Sequence, residues 1–433
     1  MELVVLKKII SVLLSFVIMV GLLGNITFAD DVISVYLNGE RLEFDVPPQM
    51  INNRTMVPMR TIFEALGARV EWTEGFGIIR AFPGDGRLIR MHTENNQFVS
   101  NYEIIIRTNF GEIETITLDV APQIIDSRTL VPVRVVAETL GANVEWDGDA
   151  QAVLITKDIA AYQTITVSTA EEFVNAIGSN RTINIQPGIY DFAPWTVRPL
   201  SPIGGFTGFY VQGVRNLNII GSLDGDVEFV NSYRTEFLGE WSGFFGATLL
   251  LEFSENVRIE NIIFSQSGGA YNIWSSSNIA IRNVTSNRIY VGGGSDNIVF
   301  DSVKVTGNTS NNDVVEILYS NVVFRNSKFS NNESINRALF GIMGANVRIE
   351  NSIISENTYN PDWELAPLNI GMGALFSIRS NGTLVVSNSF ISDNVFRYGS
   401  STTPNINIEY EDTTFENNLF GVPEFSSLGE PVG

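Results

Sequence analysis

A six-residue pattern of polar, apolar, any, apolar, any, Asn recurs through the last two-thirds of this 433-residue chain and limits what it can fold into. It starts at Asn216, Asn256, Asn278, Asn297, Asn321, Asn346, Thr383 and Asn405, at intervals of 40, 22, 19, 24, 25, 37 and 22 residues. Two apolar residues separated by one point to the same face of a strand. The pairs Val257/Ile259, Ile279/Ile281, Ile298/Phe300, Val322/Phe324, Val347/Ile349, Leu384/Val386 and Ile406/Ile408 therefore stack on one core. Five residues after the starts stand Asn261, Asn283, Ser302, Asn326, Asn351 and Asn388. Asn tolerates left-handed backbone at a bend, and stacked amides hydrogen-bond from coil to coil. The expectation is a mainly β solenoid, a parallel β-helix, with insertions at about 222–247 and 357–372 where the intervals lengthen.

The outward residue four after each start reads Glu260, Arg282, Asp301, Arg325, Glu350, Ser387, Glu409, alternating in sign from Glu260 to Glu350. Rungs about 4.8 Å apart would set each charge between opposites, worth roughly 0.2–1 kcal/mol per pair and less where solvent screens it. A slip of one rung would bring like charges together, so these five residues are expected to hold register, not to catalyse.

After a linker near 158–163, Ser168 to Gly178 reads as a capped amphipathic helix, with Thr169 and Glu172 as a capping box. An open solenoid end exposes apolar core, and such a helix covers it. The helix, followed by Thr182-Ile183-Asn184-Ile185-Gln186-Pro187-Gly188-Ile189-Tyr190, resembles the opening of pectin-lyase-like β-helices. That resemblance implies right-handed coiling, as does the general handedness of parallel crossovers.

The N-terminal part is duplicated at an offset of 74 residues. Asn53-Arg54-Thr55-Met56-Val57-Pro58-Met59-Arg60 returns as Ser127-Arg128-Thr129-Leu130-Val131-Pro132-Val133-Arg134, and Glu64-Ala65-Leu66-Gly67-Ala68 as Glu138-Thr139-Leu140-Gly141-Ala142, each unit ending on Glu-Trp. Within a unit, Pro58 or Pro132 suits a first helical turn, Ile62, Phe63 and Leu66 form one apolar face, and Gly67 suits the left-handed residue beyond it. Alternating segments flank the helix as strands, giving a small α+β domain of two repeated units over 30–157, about 32–95 and 96–157. This motif resembles the copper amine oxidase N-terminal-like domain of secreted Gram-positive proteins. The resemblance implies an accessory stalk or docking module without an oxidase centre. His92 is the only histidine, so no copper-binding His cluster can form, and it reads as a surface residue. Arg60/Glu64 and Arg134/Glu138 read as supporting helix pairs.

Residues 1–29 read as a signal peptide: Lys7 and Lys8, an apolar run from Ile9 to Leu23, and Thr27-Phe28-Ala29 before a mature start near Asp30. An uncleaved anchor is the other reading of that run; the mature chain has no further segment long and apolar enough to span. The expected location is secreted or extracellular, with cell-wall association open. There is no cysteine, hence no disulfide framework and no thiolate metal site. Formal charge is −8 over 30–157 and −14 over 158–433, which argues against nucleic acid as a partner.

On the scaffold that the β-helix domain, 158–433, resembles, enzymes work on the strand preceding the motif strand. Candidates there and in the insertions are Trp241, Glu252, Tyr271, Trp274, Arg288, Tyr290, Asp313, Glu316, Arg337 and Trp363. Aromatic faces flanked by carboxylates and Arg suit sugar binding. Recognised catalytic motifs are missing: the domain has no His, and it contains neither the Gly-His-Gly nor the Arg-x-Lys that accompany the triple carboxylate of β-helix polygalacturonases. Lys304 and Lys328, the domain's two lysines, should stack on adjacent rungs, either as a site for an acidic polymer or as solvated cations. Gly292-Gly293-Gly294 reads as a tight turn. Three functions remain open: binding of an extracellular or cell-wall polysaccharide, lyase (or hydrolase) action on an acidic polysaccharide, and a purely structural adhesin-like role. No cofactor or metal is expected, apart from calcium if the chain is a lyase.

Overall fold

The computed structural model describes residues 33–420 apart from 74–76, 95–99, 109–111, 159–160, 197–204, 233–243, 266–270, 311–312, 336, 360–373, 397 and 403–406. The expected signal peptide, Trp241 and Trp363 lie outside the described residues.

Three parallel sheets run the length of the C-terminal domain, a right-handed β-helix. A ten-stranded motif sheet extends from Gln163–Val167 to Asn407–Glu411, a nine-stranded second sheet from Gly188–Asp191 to Thr414–Glu416, and an eight-stranded groove sheet from Gly205–Gln212 to Tyr398–Thr402. Each coil visits them in that order, as in Ser277–Arg282, Thr285–Ser286 and Ile289–Gly292. Later coils add a short fourth strand, from Thr309–Ser310 to Leu419–Phe420.

The motif rows stack as the pattern requires: Val257, Ile279, Ile298, Val322, Val347 and Leu384 are register neighbours, all buried. The last coil differs. Asn407, not Asn405, pairs with Thr383, so Ile408 and Tyr410 fill the inward rows and Glu411, not Glu409, follows Ser387. Asn405-Ile406-Asn407-Ile408 alternates with period two, so the polar-apolar pattern alone fits both registers. Two more corrections concern boundaries. Gln163–Val167 is already a rung of the motif sheet, ahead of the capping helix, and the first long interval contains regular strands at Val227–Val230 and Phe244–Glu252.

The bend residues Asn261, Asn283, Ser302, Asn326, Asn351 and Asn388 all have φ between +47° and +60°. Amide bonds link coils at the motif starts, with Asn297 Nδ2 donating to Asn278 Oδ1 at 2.7 Å and Asn346 Nδ2 to Asn321 Oδ1 at 2.8 Å. A second ladder is internal: Asn308, Asn332, Asn357 and Asn394 donate in turn, each Nδ2 to the Oδ1 of the next, at 2.7–2.9 Å, and the ladder ends at Asn418. Asn332, Asn357 and Asn394 are essentially inaccessible, so this chain of satisfied amides sits inside the solenoid. The charge row has the expected register, but its contacts resolve into pairs. Arg282 meets Glu260 at 3.5 Å and Arg325 meets Asp301 at 3.0 Å, while Glu350 bonds Arg348 of its own strand at 3.0 Å. Lys304 and Lys328 are register neighbours on the second sheet and exposed.

The helix Ala170–Ala176 covers the solenoid end, burying Phe173 against Phe192, Phe209 and Phe229. Its box forms as expected at Thr169 Oγ1, which accepts from the Glu172 N–H at 3.1 Å; the Glu172 carboxylate returns to the Ser168 N–H at 2.7 Å.

In the N-terminal domain the duplicated segments meet each other. Strands Arg54–Pro58 and Arg128–Pro132 pair antiparallel with Val57 opposite Val131, equivalent residues of the two copies, and each runs into a helix, α1 (Met59–Ala65) or α2 (Val133–Thr139). Gly67 and Gly141 take φ of +82° and +79° just beyond them. A five-stranded antiparallel sheet, Arg69–Thr73 to Ile113–Thr117, has two different faces. Ile79, Ala81, Ile89, Met91, Ile104 and Ile106 face the domain core. The other face lies against the β-helix: Phe82 stacks on Phe253 with centroids 4.6 Å apart, and the Ser179 N–H donates to the Gly84 carbonyl at 2.7 Å. Gly213 is needed at this junction, since a methyl group there would come within 2.2 Å of Phe82 Cβ. His92 is on that face, paired with Ile78 of the next strand, and is 4% exposed, which corrects the surface expectation.

Candidate functional site on the groove sheet

One outward row of the groove sheet runs Tyr210, Leu250, Asn272, Tyr290, Glu316, Gly341, Ser377. A parallel row two residues on contains Gln212, Glu252, Trp274 and Gly292, and farther along Leu318, Met343 and Arg379. Tyr271 falls in the register row of Leu249, Ile289 and Val315, which are core, and not in either outward row.

The structure brings Arg288, Asp313 and Glu316 together. Arg288 precedes its groove strand and is buried; its Nε donates to the Asp313 carbonyl at 3.0 Å and its Nη2 to Glu316 Oε2 at 3.3 Å. Asp313, 4% exposed, accepts at Oδ1 from the Ala338 N–H at 2.8 Å. Its carboxylate occupies the space that a side chain at position 341 would fill, since a methyl group on Gly341 would lie 2.1 Å from Oδ2. Gly341 is the register neighbour of Glu316, so the Asp313 carboxylate lies over the rung next to the one that bears Glu316.

Burial pushes the Asp313 carboxyl up, against the opposing Ala338 N–H and the charges of Arg337, Arg379 and Arg288. Burial likewise raises Glu316, helped by Asp313 and opposed by the same three arginines. Arg379 donates from Nε and Nη2 to Ser377 Oγ at 3.3 and 3.2 Å. Arg337 is exposed at the rim. Two carboxyls with raised affinity for protons thus face three guanidinium groups, an arrangement suited to proton transfer beside an anionic ligand. A guanidinium already bonded to Glu316 makes this set a poor fit for calcium, which takes six to eight oxygens.

Trp274 and Tyr290 stack with centroids 6.1 Å apart and planes 10° apart. The indole lies over Gly292 and Gly293, where a methyl group would come within 2.6 Å of it, so those glycines make room for the ring as well as a turn. Tyr290 is buried, and burial together with Glu316 raises its phenol. Glu252 stands apart from the cluster: it accepts from Gln212 Nε2 at 3.1 Å, and burial pushes it up to about 7 against the pull of Arg107 and Arg80. Sequence reasoning missed Asn272, Ser377, Arg379 and the arginines of the N-terminal sheet. Asn272 lies on a groove strand that the sequence reading considered, whereas Ser377 and Arg379 are on the strand Ala374–Arg379, which it did not consider; all three become visible once the row register is known.

A cleft of about 660 Å³ in the N-terminal domain is lined by Met50, Arg54, Asp119, Arg134, Glu138 and Trp146 among others. Four of its charged side chains are matched, Arg54 with Asp119 and Arg134 with Glu138.

The chain carries a copper amine oxidase N-terminal-like domain, followed by a parallel β-helix. The family model described as the copper amine oxidase N-terminal domain matches residues 36–155 and 111–191. Among solved structures, the chain is similar to a pectate lyase from Paenibacillus sp. 0602, at 11% identity and TM-score 0.39 over 59% of this chain and 78% of that one. An alginate lyase from Paenibacillus sp. strain FPU-7 matches at 15% identity and TM-score 0.38, over 60% of this chain and 98% of that one. A pectin methylesterase from carrot matches at 12% identity and TM-score 0.36, over 60% and 84%. No curated protein matches the sequence. Among the described residues, no helix is long and apolar enough to cross a membrane.

Proposed function

We propose that this protein cleaves an acidic polysaccharide outside the cell, with Arg288, Asp313 and Glu316 as the working cluster. The observation that carries the reading is the burial of two proton-hungry carboxyls beside one buried and two nearby arginines on the outer face of the groove sheet. Export is supported by the apolar N-terminal run and its small-residue end.

The arrangement suits β-elimination from a uronate. The arginines offset the sugar carboxylate, which makes the neighbouring C5 proton more acidic, and a carboxylate of raised pKa is a competent base near neutrality. In this reading Glu316 takes the C5 proton, the C4–O4 bond breaks, a C4=C5 double bond forms, and the leaving oxygen takes a proton from the carboxyl pair or water. Hydrolysis by the same pair is the second reading, favoured by two carboxyls of raised pKa on neighbouring rungs, the group types that glycosidases use as acid and nucleophile or base. A binding-only role, with Trp274 and Tyr290 as the platform, is the third; it leaves the clustering of the carboxyls unused.

The test is incubation of the protein with a panel of uronate polymers and neutral glycans, reading both ultraviolet absorbance of unsaturated ends and reducing ends. Absorbing product lost in Glu316→Gln supports elimination; reducing ends without absorbance support hydrolysis. Silence on every polymer, or a fully active Glu316→Gln protein, removes the assignment.

A further inference from the structure

The face of the five-stranded N-terminal sheet that lies against the β-helix is unusually cationic for an acidic chain. Arg80 and Arg90 are direct cross-strand partners, and like charges in that relation repel. Arg107, on the next strand but one in the same sheet, places its guanidinium 4.9 Å from the ring centroid of Tyr210. The carboxylate opposite Arg80, Glu71, is engaged by Arg69 at 2.5 Å. None of the three arginines has an ion-pair partner at contact distance among the described residues, and Arg90 Nε and Arg107 Nη2 are buried without any hydrogen-bond partner. Across the junction Glu252 attracts Arg107 and Arg80, Arg107 also hydrogen-bonds the Tyr210 side chain, and burial pushes the Glu252 carboxyl up to about 7.

Tyr210 begins the outward row that leads through Leu250, Asn272 and Tyr290 to Glu316. Midway along it, Asn272 is 3% exposed and its Nδ2 has no acceptor. Unmatched buried donors cost stability unless something fills them. Here Asn272 lies in the row that starts at Tyr210, the residue beneath the Arg107 guanidinium, so the unmatched donors are distributed along the solenoid axis.

We propose that the N-terminal domain completes the groove, with Arg80, Arg90 and Arg107 holding a carboxylate of an acidic sugar chain four rungs from Glu316 and Asn272 donating to the same chain between them. The proposal rests on the reading of Glu316 as the working end of a uronate site. It makes the N-terminal domain part of substrate recognition, not a spacer. Four rungs at about 4.8 Å make roughly 19 Å, so a trimer anchored at Glu316 falls short of the arginines and a hexamer reaches them.

The experiment is calorimetric titration of full-length protein with galacturonate and alginate trimers and hexamers, in a Glu316→Gln background so that the chains are not cut. Arg90→Gln and Arg107→Gln are then added singly. The expected result is a hexamer bound at least about tenfold more tightly than the trimer, with that gain lost in either arginine variant and trimer binding unchanged; one charge-assisted contact is worth about this much. Without sugar, Arg90→Gln should melt no lower than its parent, because it relieves the repulsion with Arg80. Equal affinity for both lengths, or arginine variants that keep the hexamer gain, overturns the subsite and leaves the Glu316 reading standing. A fall in melting temperature with loss of both oligomers assigns the arginines a structural role and also overturns it. No binding of any oligomer, together with no turnover by the wild type, overturns both.

Discussion

Gly341→Ala changes no charge and removes no hydrogen-bonding group, yet it should dismantle the cluster. The glycine is not in the left-handed region; it is required because Asp313 occupies its side-chain space. A methyl group there would lie 2.1 Å from Oδ2, 2.5 Å from Cγ and 3.1 Å from Cβ of Asp313, all inside contact distance. The backbone of strand Phe340–Met343 is paired on both sides and cannot yield, so the carboxylate must leave. Leaving breaks its 2.8 Å bond from the Ala338 N–H and strands that donor. Overpacking costs about 1–3 kcal/mol and a lost bond to a charged group about 1.5–3, so a destabilisation on the order of 3 kcal/mol is expected, read as a lower urea midpoint with unchanged slope. Displacing an acid–base group by an ångström or more costs on the order of a hundredfold in turnover. A Gly341→Ala protein with wild-type midpoint and wild-type rate on the polymer found in the screen would show that the Asp313 carboxylate is not held over this rung.

Three further outcomes follow from the same physics. Arg288→Met leaves Glu316 buried without its guanidinium and should cost about 3–5 kcal/mol at pH 8; the loss should shrink at pH 5, because both carboxyls have raised pKa and take up protons as the pH falls, which urea titrations at the two values would detect. Glu252 is pushed up to about 7, above its unfolded value, so its contribution to stability is complete below the ordinary carboxylate range and is lost as pH rises through about 7. The melting temperature of the wild type should therefore fall between pH 5 and 8 relative to Glu252→Gln, by the equivalent of roughly 2 kcal/mol, and parallel curves would contradict this. In the internal ladder, Asn357 donates to Asn394 Oδ1 and to the Phe329 carbonyl at 2.8 and 2.9 Å and accepts from Asn332. Asn357→Ala should lose about 3 kcal/mol or more by stranding these groups, whereas a loss below about 1 kcal/mol, the scale of a single exposed bond, would mean the ladder adds little.

The motif sheet was legible because its signal is local: two inward apolar residues and a bend Asn in six positions, repeated coil after coil. The same locality explains the slip at the last coil, where Asn405-Ile406 and Asn407-Ile408 satisfy the pattern equally and only the neighbouring rung decides. Groove strands such as Ile289–Gly292 and Phe340–Met343 are short and largely buried on both faces, so alternation marks them poorly. Tyr271 could not be told from an outward residue until pairing with Leu249 and Ile289 fixed its row. Arg288, Asp313 and Glu316 were named as separate candidates, but their meeting depends on the lengths of two turns and on Gly341 being small. The internal Asn ladder lies outside the motif, at Asn308, Asn332, Asn357, Asn394 and Asn418, where single asparagines read as ordinary loop residues. Arg80, Arg90 and Arg107 come from another domain, and only docking through Phe82 and Gly213 brings them to the groove.

The most direct measurement is a crystal structure of the Glu316→Gln protein with a uronate hexamer bound. The sugar chain should lie along the groove sheet, with a carboxylate near Arg288 and Arg379 at one end and another at Arg107 and Arg90 at the other. A hexamer seated instead against Lys304 and Lys328 on the second sheet, or in the Trp146 cleft of the N-terminal domain, would contradict the account.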